Sequence, residues 1–457
     1  MLISRYCEMA PNALKFFENV KVKQMRFTGA DILKTKMNKK TEKFPVNLFC
    51  SLMLLSFIPF LYTLVRTNLI VNSPSTDGLG IAGHIEWFDL INEAMQAFLI
   101  VPLYALFNKC MSDTRKFKQR IFQSFLIVNV IYILFAAAIF VRCNDIVISM
   151  VSNHIREVTG YLELETIGFI IANVVSFVNV LFVVLEKPIY IYTMVVLKTI
   201  FTMIGDLFLI PQFGVNGAAY SNIVVNSACV VLCLIVVFRE QLIVISFRFD
   251  RLFIKDFLFI GLFSGTQILL DNLIYSVLVC RMVNAVTEQG NYWIANNIIW
   301  GLLLIPILAL AEIIRKDCRD QLTLVKIKHY NMVIIVTFIS WLCFIPMLNP
   351  FLRNVMGIED YGKISHILII LIPFYLAYNY TVLFDNILIG YGKTHYCFVT
   401  SLIVNLIYYP IIYGFMIKGV FAPSITFICM MFGFGMVIHL GCSVVCFSMF
   451  KKHLNRN

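Results

Sequence analysis

The sequence predicts an all-α polytopic membrane protein: twelve transmembrane helices in two six-helix lobes related as parallel repeats. Three observations carry this. The 457 residues are 60% hydrophobic and only 14% charged, with a mean hydropathy of +0.84, far from the balance of a water-soluble domain. Twelve apolar runs are each long enough to supply the ~20 residues that cross a ~30 Å hydrocarbon core. Finally, the second six runs repeat features of the first at a nearly constant lag.

Taken in order, residues 1–44 carry ten Lys or Arg and lack the apolar core and small-residue cleavage site of a signal peptide, so they read as a basic cytoplasmic segment. The apolar runs follow at 47–71, 80–106, 121–141, 163–185, 188–212, 215–238, 253–279, 291–311, 330–349, 364–389, 394–417 and 425–449. Barrel strands would be shorter and alternate with a period of two. Runs of this length satisfy their backbone polar groups in lipid as helices. The N-terminal lobe is read as 45–238 and the C-terminal lobe as 253–450, followed by a tail at 451–457. Between the lobes lies a linker at 239–252, inside the basic stretch "REQLIVISFRFDRLFIK" (239–255).

Lys and Arg are retained on the cytoplasmic side of short loops. With the N-terminus inside, 29 of the 37 fall in inside segments, 6 in outside loops, and 2, Arg66 and Lys198, within spans. Both termini are therefore expected to be cytoplasmic, in a plasma or inner membrane. The same bias accounts for the net charge of +11 without a nucleic-acid partner, and no groove-reading or base-stacking module is present. Of the thirteen cysteines most lie in predicted helices, with no CxxC pair or His cluster at ligand spacing, so they read as free apolar thiols.

The repeat is visible in "LIVPLYAL" (99–106) and "LLIPILAL" (303–310), at lag 204, and in "LVRTNLI" (64–70) and "ILLDNLI" (268–274) at the same lag. "GV" recurs at 214 and 419, and "EKPIY" (186–190) meets "GKTHY" (392–396) at lag 206. A drift of two residues is what small loop insertions produce. Six helices per half return the chain to its starting side, which makes the halves parallel repeats with a substrate site expected at their interface near the midplane. Pro102 and Pro306 would bend the second helix of each lobe.

Charges within spans cost about 2.5–3.5 kcal/mol each at a helix centre and are kept out of lipid. Glu86, Asp89, Glu93 and Gln96 fall at i, i+3, i+7 and i+10, one polar stripe along the second helix. The stripe lines a wet cavity, meets cations, or forms a structural seam. Arg66 lies at a depth similar to Glu86, and Lys198 near the midplane like Glu93. Asp385, close to the cytoplasmic end of the tenth helix, reads as interfacial, and His84 as a solvated residue near a helix end. No GxSxG, HExxH or Walker loop occurs, so an enzyme is not expected. A channel is not expected either, since no carbonyl filter or ring of charge is evident.

"GDLFLIPQFGVNGAAYSNIVV" (205–225) at the fifth-to-sixth helix junction and "ILIGYGKTHY" (387–396) before the eleventh resemble motifs of the multidrug and toxic compound extrusion (MATE) transporters, over about residues 45–450. Lipid-linked oligosaccharide flippases share that architecture. The resemblance implies a monomeric secondary transporter that exports an organic cation or amphiphile in exchange for Na⁺ or H⁺ by alternating access. It needs no cofactor beyond the coupling ion; its partners are a small-molecule substrate and membrane lipid. It also implies a cation-coupling acid at Asp271, ten residues after Gly261, and a counterpart of the family's fifth-helix acid at Asp206. Two positions depart from the pattern: Arg66 stands where many members carry an acid, and the tenth helix has Tyr378, Asn379 and Tyr380 at mid-depth. The alternatives are a flippase for a lipid-linked oligosaccharide or other polysaccharide precursor, and an intramembrane enzyme. The flippase needs a cavity rich in Lys and Arg to hold phosphates, whereas six intramembrane acids against two bases favour cations.

Overall fold

The computed structural model describes residues 43–454 apart from 76, 151–153, 287–288, 320–321, 357, 359 and 421–423. Nearly all of the basic N-terminal segment, and the last three residues of the tail, lie outside the described residues. Among the described residues no strand occurs, and eleven helices are long and apolar enough to cross a membrane, with a bent pair forming a twelfth span.

The spans are α1 (Val46–Val71), α2 (Glu86–Cys110, after a short helix Gly78–Gly83), α3 (Thr114–Met150), α4 (Ile155–Val184), α5 (Pro188–Phe213) and α6 (Val215–Arg239). The second six are α7 (Arg251–Asn284), α8 (Gln289–Leu303 with Ile305–Asp317), α9 (Leu324–Asn354), α10 (Tyr361–Gly390), α11 (Thr394–Ile417) and α12 (Ile425–Lys452). Large apolar side chains point outward along them, as lipid-facing helices require: Leu134 is 66% and Val141 79% exposed on α3.

Packing repeats with the sequence. In the first lobe α1 packs on α5, α4 on α6, and α5 on α6; six helices later α7 packs on α11, α10 on α12, and α11 on α12. Contacts between lobes pair the same way, α2 with α7 and α10, and α8 with α1 and α4. The match extends to backbone detail. Lys187 N–H donates to Phe182 O at 2.9 Å and Glu186 N–H to Val183 O at 3.1 Å, while Lys393 N–H donates to Leu388 O and Gly392 N–H to Ile389 O, both at 2.8 Å. These are two copies of one Schellman closure, with left-handed residues at Glu186 (φ 54°) and Gly392 (φ 71°).

The lobes approach most closely where α2 crosses α7. A Cβ on Gly261 would lie 2.3 Å from Phe98 O, and one on Gly265 2.7 Å from Phe98 Cβ, so the Gly-x-x-x-Gly spacing sets the crossing distance. Ser264 Oγ donates across it to Ala97 O at 2.8 Å.

The two prolines of the "LIVPLYAL"/"LLIPILAL" repeat behave differently. Pro306 follows a 48° bend between the halves of α8, just after a π-helical turn at Ile299–Leu303. Pro102 sits inside the uninterrupted α2. Further π-turns occur at Tyr275–Val279, Phe351–Val355 and Val404–Tyr408. All four belong to the second half, which gives that lobe the broken backbone that often accompanies function.

Candidate functional site

Because α1 packs on α5, Arg66 reaches Asp206 and not Glu86. Its Nε lies 2.7 Å from Asp206 Oδ2 and its Nη2 3.0 Å from Oδ1, a two-pronged pair, and Tyr62 Oη donates to Oδ2 at 2.9 Å. Asp206 is fully buried, whereas Arg66 keeps 23% of its side chain accessible. Both charges are thus largely spent on each other. A second buried acid, Glu165 of α4, stands within electrostatic reach of Arg66 and accepts from Asn222 Nδ2 at 3.0 Å.

The stripe on α2 divides between neighbours. Glu86 and Asp89 are exposed, and among the described residues neither has an ion-pair partner. Asp89 lies within reach of the charges of Glu165 and Glu86. Glu93, one turn further along, accepts from Asn272 Nδ2 of α7 at 3.0 Å and so sits at the seam between lobes. Gln96 continues the polar line into the first lobe, donating to Asn173 Oδ1 at 3.2 Å. Lys198 is exposed and, among the described residues, forms no ion pair; it lies near Cys229 of α6 and Arg66 rather than near Glu93.

In the second lobe Asp271 Oδ1 accepts from Ser401 Oγ at 2.6 Å and Asn405 Nδ2 at 2.5 Å. Asn405 belongs to the π-turn of α11. Close by, His439 Nε2 of α12 lies 3.2 Å from Asp385 Oδ2, at ion-pair distance but outside hydrogen-bond geometry, since Nε2 and the other oxygen of Asp385 have no hydrogen-bond partner. Asp385 is buried inside the lobe, facing α12 in the tight α10–α12 contact. Among the described residues no three His, Cys, Asp or Glu converge to hold a metal ion.

A third cluster joins the lobes at the end that carries the linker. Glu312 of α8 accepts from Tyr104 of α2 and pairs with Arg315 Nη1 at 2.9 Å. Arg315 Nε donates to Asn386 of α10 at 2.5 Å, and its carbonyl accepts from Asn108 of α2 at 2.9 Å. Lys316 binds Glu186 at 2.6 Å and Lys109 binds Asp256 at 2.8 Å. Among the described residues, the ion pairs between lobes all lie at this end.

Sequence reasoning missed Glu165, Glu312 and His439. Glu165 and Glu312 lie at the edges of apolar runs and read as ordinary boundary charges. His439 lies well inside the last run, where a lone ionisable group is itself a signal.

No protein-family model matches the sequence, and no curated protein matches it. Solved structures do. A MATE structure in the straight conformation gives a TM-score of 0.78 at 16% identity, over 90% of this chain and 96% of that one. The fold is that of the MATE transporters. The outward-facing conformation of a multidrug resistance MATE family transporter of the MOP superfamily gives 0.78 at 15% identity, over 90% and 95%. A MOP superfamily transporter from Pyrococcus furiosus, for which reverse polarity of the binding pocket suggests a different function, gives 0.76 at 16%, over 90% and 95%.

Proposed function

We propose that the protein is a secondary active exporter that exchanges organic cations or cationic amphiphiles for Na⁺ or H⁺, its two lobes rocking about the α2–α7 crossing. The observation that carries this reading is the state of the charges. Arg66 is neutralised by Asp206, whereas Glu86 and Asp89 stand exposed and without ion pairs on α2, a helix in contact with α7, α8 and α10 of the other lobe. Unpaired carboxylates within an apolar span attract cations. We assign the coupling ion to Asp271, which lies between α7 and α11, two helices with π-turns, with Asp385 and His439 within electrostatic reach.

The charge asymmetry of 29 to 6 supports a cytoplasmic linker and cytoplasmic termini. With that orientation, the ion pairs at the linker end support an outward-open state.

Anionic lipid-linked sugars are the second reading, favoured by the unpaired Lys198 and by the reversed pocket polarity named for the Pyrococcus furiosus relative. Proteoliposomes separate the two. The expected result is export of ethidium driven by an imposed Na⁺ or pH gradient. Movement of a lipid-linked pyrophosphate sugar without movement of ethidium would replace the exporter with the flippase.

A further inference from the structure

Where α3 and α7 begin, at the boundary of the apolar spans, the linker lies against the first turns of α3 and borders an open pocket of about 330 Å³. Its walls carry Arg115, Lys116 and Arg120 of α3 and Arg248 of the linker, with Asp113 as the acid among them. Of the two acids here one caps a helix and the other is ion-paired. Asp113 Oδ1 accepts from Lys116 N–H at 3.0 Å, capping its own helix, and Asp250 is held by Arg120 Nη2 at 2.8 Å. Arg120 is 8% exposed, anchored further by Gln123 Oε1 at 2.8 Å and stacked 4.2 Å from the Phe253 ring centroid.

Gln123, 2% exposed, ties the linker down by donating to Arg248 O at 2.8 Å. That leaves Arg115, Lys116 and Arg248 exposed around the cavity and, among the described residues, without ion-pair partners. A preformed concavity in which three cations without ion-pair partners outnumber the one acid, Asp113, beside a buried guanidinium suits an anion that carries several oxygens.

Three residues beyond Arg248, one face of α7 carries a shallow depression with Arg251 and Lys255 at its start and Leu258, Phe259 and Leu262 further along the helix. These three apolar side chains are 43%, 46% and 56% exposed. Cations followed inward by open apolar surface reproduce the order of a lipid headgroup and its acyl chains. A free phosphate ion would use only the first of these features.

We propose that the pocket binds the phosphate headgroup of an anionic glycerophospholipid and so fastens the interlobe linker to α3. Basic residues near an anionic lipid surface contribute additively, and removing three weakens binding by about 100-fold. The test uses the full chain purified in detergent and titrated with dioleoylphosphatidylglycerol, dioleoylphosphatidylcholine or inorganic phosphate, with lipid adducts read by native mass spectrometry and stability by the melting midpoint. Phosphatidylglycerol is expected to be retained and to raise the midpoint. Arg115→Gln/Lys116→Gln/Arg248→Gln should lose about 100-fold in affinity, whereas Lys451→Gln/Lys452→Gln, which removes two cations elsewhere, should lose none. If the triple variant does not fold, Arg248→Gln alone in the exposed linker should cost about fivefold.

Any of four results would overturn the proposal. These are equal retention of phosphatidylcholine, an equal effect of inorganic phosphate, undiminished binding by the triple or single variant, and an equal loss in the Lys451/Lys452 control.

Discussion

Replacing Asp206 by Asn tests whether the Arg66–Asp206 pair is a lock rather than an open ion site. The substitution keeps the shape of the side chain but removes the charge that receives Arg66 Nε at 2.7 Å and Nη2 at 3.0 Å. Stripping one partner from a buried pair costs about 3–5 kcal/mol, because the other charge is left desolvated. Arg66 retains 23% accessibility, which puts the cost near the lower end, about 3 kcal/mol. For a helical body of this size that corresponds to a fall of about 3–6 °C in the melting midpoint. Cys229 and Cys233 are both fully buried in α6, so once the accessible thiols such as the exposed Cys50 and Cys343 are replaced, a thiol-reactive fluorophore reports unfolding through them. The decisive comparison is the cycle with Arg66→Gln and the double variant. Removing both charges abolishes the unpaired ion, so the double variant should melt above Asp206→Asn, with a coupling of about 2–3 kcal/mol. Additive losses, or an unchanged midpoint in Asp206→Asn, would show that the pair does not lock α1 to α5. The same single variant frees Arg66 in the first lobe and should reduce ethidium export, an effect the double variant reverses.

Three further outcomes are expected. Glu86→Gln/Asp89→Asn should reduce export of cationic dyes at least tenfold in proteoliposomes while leaving the melting midpoint within about 1 °C, since neither side chain is in an ion pair; undiminished export would remove the α2 carboxylates from the substrate path. Gly265→Leu should drive a side chain into Phe98 and separate α2 from α7, costing about 1–3 kcal/mol or more by overpacking, read as a lowered midpoint; a neutral result would show that the crossing yields. Outside the spans, the backbone N–H of Leu252 and the Arg120 guanidinium hold the Asp250 carboxyl below its ordinary value. A depressed folded-state pKa stabilises above the unfolded value of about 3.9, and the contribution is lost as pH falls through the folded value. The midpoint difference between wild type and Asp250→Asn should therefore be constant above about pH 5 and shrink below about pH 4; a difference that does not change with pH would exclude a charge-based cap.

What the sequence determined by itself was whatever depends on chain continuity. A run of twenty apolar residues has to be helical in lipid wherever it packs, so twelve spans were legible, and the lag of 204–206 residues between copies already implied parallel lobes. "EKPIY" and "GKTHY" were legible as matching segments of the repeat, and the structure shows that they share one Schellman closure, whose hydrogen bonds stay within six residues. The Gly261 and Gly265 spacing was visible, though not its partner Phe98. Charge partners were decided by tertiary structure, because they depend on which helix faces which. Arg66 and Glu86 share a depth, yet α1 rests on α5, so Arg66 turned to Asp206, 140 residues away. Asp385 had no partner legible in the sequence, and only the α10–α12 contact brought it to His439. Depth can be read from position along a run. Azimuth around the helix axis, which fixes whether a carboxylate meets a guanidinium, a seam or open water, is set by the packing of the other eleven helices.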